Sequence, residues 1–173
     1  MRIECRAGVV AMAVLMMCAG SIAADEQQCR QSPLPPNVEM PRDLARVLRR
    51  IYERSPTFRA QCERIVAARN LRVTVRLDTS IPSRCRAFTI VRRRGHAIEA
   101  EVHLPPSYAL TELVGHEFEH IVEQIEGLDL RQLARTKGSG VHEGEGQVFE
   151  TDRAQAAGRI VAGEVDDYSP AAN

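Results

Sequence analysis

Leu110-Thr111-Glu112-Leu113-Val114-Gly115-His116-Glu117-Phe118-Glu119-His120-Ile121-Val122-Glu123-Gln124-Ile125-Glu126-Gly127 is the stretch on which the reading of the whole chain turns. Leu110, Leu113, Val114, Phe118, Ile121, Val122 and Ile125 recur at helical spacing and give the segment one apolar face. That periodicity predicts a helix from Tyr108 to Glu126, capped by Ser107 after Pro105-Pro106 and stopped by Gly127. His116 and His120 stand four residues apart, so on a helix they project from one face, one turn from each other. Two imidazoles at that separation suit two corners of a tetrahedral zinc site. Glu117 then falls beside the metal and not on it, where a carboxylate can take a proton from a zinc-held water as it attacks a carbonyl.

Upstream of this helix the helical period gives way to alternation. Leu71, Val73, Val75 and Leu77 alternate with Arg72, Thr74, Arg76 and Asp78, the pattern of a half-buried strand. A second strand is expected over Arg86 to Arg92, with Phe88 and Ile90 on one face. Arg93-Arg94-Gly95-His96 reads as a hairpin turn with a solvated arginine tip. A third strand puts Ile98, Ala100, Val102 and Leu104 on one side and Glu99, Glu101 and His103 on the other, with His96 and His103 at the surface. Before the strands, Pro41 opens an amphipathic helix whose buried face is Leu44, Val47, Leu48, Ile51 and Tyr52. Ser55-Pro56 starts another, with Phe58, Cys62, Ile65 and Val66 on one side. Glu117 and His120 also spell the Glu-x-x-His of di-iron bundles, but no second copy occurs and the strands exclude an all-helical bundle.

His116 to His120 resembles the active-site motif of the zincin metallopeptidases. The resemblance implies a small α+β zincin-like domain: N-terminal helices, a short and mainly antiparallel sheet, the active-site helix and a downstream helix bearing a ligand. It also implies a sheet edge to which a peptide adds as a further strand, and Ala97 to Leu104 stands in the matching position. The metzincin branch requires a glycine and a third histidine soon after His120, and Ile121 to Gly127 contains no histidine. The gluzincin branch takes its third ligand from a later glutamate, a place that Glu150 fits on a helix expected from Gln147 to Val161. Ala154, Ala157 and Val161 would share its face and let the two helices pack closely. Glu143 and Glu145 in the glycine-rich loop Lys137 to Gly146, and Asp152, are weaker candidates. His142 is placed as a second catalytic group stabilising the developing oxyanion, a role also open to Arg153 and Tyr168; an exposed loop histidine is the plain alternative.

The two ends of the chain place the protein. Arg2 and Arg6, the apolar run Ala7 to Ala19 and the small residues of Ser21-Ile22-Ala23 form a secretory signal over residues 1–23, so a periplasmic or extracellular location is expected. Lipidation at Cys18 is disfavoured by the bulky Met17 before it. Residues 24–40, with Pro33, Pro35 and Pro36, read as a flexible extended arm; 41–162 as the metallopeptidase domain; 163–173 as a disordered tail. In an oxidising compartment Cys62–Cys85 is the favoured disulfide among Cys29, Cys62 and Cys85. The 23 basic and 23 acidic residues balance, which argues against a nucleic-acid partner. The expected cofactor is one zinc per chain and the expected partner a peptide or protein substrate, with no stable membrane association once the signal is removed. A non-catalytic zinc-binding protein that docks a partner or peptide is the alternative.

Overall fold

The structure, a computed structural model, describes residues 34–81, 87–107, 109–145 and 148–167. The proposed signal segment, Cys29, Cys85 and Tyr168 lie outside the described residues. The chain forms an α+β domain with helices on one face of a small sheet. In chain order the elements are β1 (Val38–Glu39), α1 (Arg42–Arg54), α2 (Pro56–Ala67), β2 (Leu71–Leu77), β3 (Phe88–Arg94) and β4 (Ala97–Leu104). They continue with α3 (Leu110–Ile125), α4 (Leu130–Ala134), β5 (Val141–Glu143), β6 (Phe149–Thr151) and α5 (Asp152–Asp166).

The main sheet has the order β1-β2-β4-β3. β1 and β2 run parallel, as do β2 and β4, while β3 and β4 are antiparallel. The sheet is therefore mixed, where a mainly antiparallel one was expected, and Ala97–Leu104 is an interior strand and not an edge. Side-chain chemistry explains the order. β4 buries Ile98, Ala100, Val102 and Leu104 on one face, which an interior place between two strands rewards. β3 ends in Arg92-Arg93-Arg94, and a charged strand is best kept at an edge. The β3–β4 hairpin closes through Gly95-His96, with Gly95 at φ 60°, a left-handed conformation that costs glycine little.

Leu34 to Met40 are not a flexible arm. Leu34 and Val38 are buried in the core, and β1 extends the sheet beside β2. The two N-terminal helices follow their periodicity, burying Leu44, Leu48 and Ile51 from α1 and Phe58, Cys62 and Ile65 from α2. Val66, expected with the second set, is exposed. Ser55 caps α2, its Oγ accepting from Phe58 N–H, with Pro56 in the first turn. α3 spans the apolar run read from the sequence but begins at Leu110, with Ala109 and not Ser107 as its N-cap residue, and it ends at Ile125, just before Gly127 at φ 76°. Phe118 is fully buried against Phe58, ring centroids 5.0 Å apart.

The last helix starts and stops later than expected. Phe149–Thr151 is a strand paired antiparallel with Val141–Glu143, and Thr151 caps α5 through Ala154 N–H. Gly163 to Asp166, expected in the tail, continue the helix. There Val165 is buried, and the Glu164 carboxylate accepts from Ser55 Oγ, Thr57 N–H and Thr57 Oγ1 at the start of α2. Among the described residues no helix is long and apolar enough to cross a membrane.

Candidate metal centre and cleft

The site begins with a close helix crossing. Gly115 of α3 faces Val161 of α5, where a Cβ would stand 2.8 Å from the Val161 side chain. Gly158 of α5 faces α3 in turn, where a Cβ would lie 2.7 Å from the Glu112 carbonyl oxygen and 3.1 Å from His116 Cβ. Together with buried Ala154 and Ala157, these positions bring α5 against the helix that carries the histidines. The strand leading into α5 then delivers Glu150 to the same place.

The two imidazoles converge by their Nε2 atoms, which are 3.2 Å apart. Glu150 Oε1 lies 3.4 Å from His116 Nε2 and 4.0 Å from His120 Nε2. A tetrahedral zinc with bonds of about 2.0–2.1 Å has ligand–ligand edges of about 3.3 Å. The spacings of the three atoms bracket that edge, and the three residues form a group able to hold one metal ion. Glu150 is supplied by β6, immediately before the Thr151 cap, and not by the helix itself.

Glu117 stands beside this group as the spacing predicted. Its Oε1 is 4.0 Å from His116 Nε2, and its side chain is almost wholly buried. Thr89 Oγ1 of β3 donates to Glu117 Oε2 at 2.6 Å. Burial raises the Glu117 carboxyl pKa above its usual range, against the lowering effect of the Thr89 bond and the two histidines. Glu150 is lowered, chiefly by its bond with His116. For His120, burial alone would lower the pKa, but the Glu123 bond and the surrounding carboxylates carry it upward.

Other candidates fall elsewhere. His142 is cross-strand partner of Glu150 in the β5–β6 hairpin, but its imidazole is exposed and bonded to Asp152 at 3.1 Å. It is outside the three-residue group, as are Glu143 and Asp152. Arg153 is held in ion pairs with Glu119 and Glu126, joining α5 to α3. Cys62 is buried, which pushes its thiol up to about 12; Cys85, its expected partner, lies outside the described residues. His103 pairs with Asp78 at 3.0 Å on the far face of the sheet.

Two residues that touch the site were not singled out from the sequence. Thr89 was hidden because strand alternation says nothing about which later helix a strand crosses. Glu123 carried a readable signal, since three residues after His120 is the same helix face. It is buried, with one carboxylate oxygen 2.9 Å from His120 Nδ1 and the other accepting from Thr151 Oγ1 at 2.6 Å.

Cavities open on both sides of the cluster. One of about 480 Å³ runs between β3 and the β5–β6 hairpin, walled by Phe88, Val91, Leu130, Val148 and Phe149 with Glu117, His120 and Glu150 at its floor. The other, about 340 Å³, is polar and is lined by Glu112, His116, Gln155 and Arg159. Comparison with protein-family models, with curated proteins and with solved structures finds no match to this chain.

Proposed function

We propose that the protein is an exported zinc-dependent metallopeptidase of zincin type, holding one zinc through His116, His120 and Glu150 and using Glu117 as general base. The observation that carries this reading is the convergence of three ligand atoms at spacings near a tetrahedral edge, beside a buried carboxylate that none of the three needs. Bound zinc supplies Lewis acidity, polarising the scissile carbonyl and acidifying the attacking water. Glu117 takes the proton of that water and returns it to the leaving amine. Burial supports both transfers, because a carboxyl of raised proton affinity accepts more readily and still releases to an amine. The Thr89 hydroxyl holds one Glu117 oxygen and leaves the other toward the cluster.

β3 is the open edge of the sheet alongside the cavity, so it, and not Ala97–Leu104, is the strand to which an extended peptide would add. The apolar wall of Leu130, Val148 and Phe149 suits an apolar substrate side chain on the His120 side of the scissile bond. The test compares zinc-loaded parent with Glu117→Gln on a peptide library. Retained zinc with cleavage reduced by about 100-fold or more is the expected result. Equal rates in parent and variant would remove Glu117 from the mechanism. Zinc without turnover in the parent would favour the non-catalytic zinc-binding alternative.

A further inference from the structure

Glu123 is one of the most deeply buried carboxylates described, at 1% exposure. A carboxylate taken out of water costs several kcal/mol unless its oxygens are bonded. Both are. Oε2 faces His120 Nδ1 at 2.9 Å and Oε1 accepts from Thr151 Oγ1 at 2.6 Å. The guanidinium of Arg153 on the adjoining turn of α5 is committed to Glu119 and Glu126. Glu123 thus bonds one member of the metal cluster, His120, and the residue next to another, Thr151 beside Glu150.

Each bond fixes something the cluster needs. An imidazole that donates from Nδ1 is left with its lone pair on Nε2, the nitrogen that points at His116 Nε2 and Glu150. Thr151 follows Glu150 directly, and its hydroxyl is fixed twice, donating to Glu123 and accepting from Ala154 N–H. The junction of β6 and α5 is therefore pinned to α3 at the residue beside the third ligand. We propose that Glu123 is a positioning residue for the metal, setting the tautomer and orientation of His120 and, through Thr151, the place of Glu150. The inference rests on the metal-binding reading of His116, His120 and Glu150. What sets Glu123 apart from the buried Glu119, which pairs with Gln61 and Arg153, is that its two bonds reach the ring of one proposed ligand and the residue beside another.

The test is metal binding by the metal-free protein, titrated with zinc against a competing chelator and with cobalt(II) read by its visible ligand-field bands. Glu123→Gln and Glu123→Ala are expected to weaken zinc binding by about 10–100-fold and to alter the cobalt spectrum. Thr151→Val should weaken it less, by about tenfold, and Thr151→Ser, which keeps the hydroxyl, should restore the parent value. Circular dichroism of the metal-free variants identifies any that fail to fold; the Gln and Ser substitutions keep the comparison decisive in that case. Folded Glu123 variants that bind zinc within twofold of the parent, with an unchanged cobalt spectrum, would overturn the positioning role while leaving the metal site standing. A parent that binds neither metal would overturn the metal reading itself, and the two failures are distinguishable.

Discussion

Glu117 and Thr89 come from elements far apart in the chain, and their hydrogen bond is the contact that aims the proposed base. Thr89→Val keeps the shape of the side chain and removes the donor. It is expected to lower kcat by about tenfold with zinc content unchanged, since misaligned proton transfer forfeits part of the 10²–10⁴-fold that a positioned base contributes. Steady-state kinetics beside metal analysis checks it, and an unchanged kcat would mean the bond has no part in turnover. Cys62 offers an independent check of the core. A thiol pushed up to about 12 by burial holds almost no thiolate at pH 8, so it should resist iodoacetamide in the folded, reduced protein. Rapid alkylation only after unfolding, read by mass spectrometry of the Cys62 peptide, is the expected outcome.

At the scale of elements, two glycines of α5 should respond to alanine with opposite signs. At Gly158 a Cβ would meet the Glu112 carbonyl oxygen at 2.7 Å, so Gly158→Ala must push α5 off α3. A loss of about 1–3 kcal/mol is expected from overpacking, with weaker zinc binding because His116 Cβ is the next atom met. Gly163 has no heavy atom within 4 Å of its Cβ position, and Gly163→Ala should stabilise the helix by about 0.5–1 kcal/mol. Thermal unfolding of the two variants separates these effects. The same element marks what the sequence made legible. The small residues Ala154, Ala157 and Val161 announced close packing against α3, and all three are buried there. Glu150 follows from the gluzincin resemblance, which calls for a later glutamate on a closely packed helix, but its element does not: Val148 to Thr151 is too short for its strand character to outweigh the helical run that follows. The Thr151-Asp152 pair was the available sign, a cap followed by an acidic first turn. Strand order was also out of reach. Alternation identifies the strands themselves, whereas the insertion of β4 between β2 and β3 depends on which apolar face is worth most when covered on both sides.

At the scale of the whole molecule, the second and last helices of the domain are tied together by side-chain hydrogen bonds. Glu164 near the end of α5 accepts from Ser55 and Thr57 at the start of α2, and Arg153 joins α5 to α3. Glu164→Ala should lower stability by about 1–3 kcal/mol, leaving the buried Ser55 hydroxyl to find another partner, while zinc stoichiometry stays at the parent value. The placing of His116, Glu117 and His120 on adjacent turns of α3 was readable before the fold was known, because helical spacing fixes it locally. Residues reaching in from β3, and the carboxylate of Glu123 bonded across to Thr151, depend on tertiary contacts. The claim on which the rest depends is that His116, His120 and Glu150 make one metal site. It is tested most directly by zinc content of the purified protein, by plasma mass spectrometry, beside His120→Ala and Glu150→Ala. The expected result is about one zinc per chain in the parent and marked loss in both variants. Absence of zinc from the parent even after it is supplied, or full retention in both variants, would contradict it.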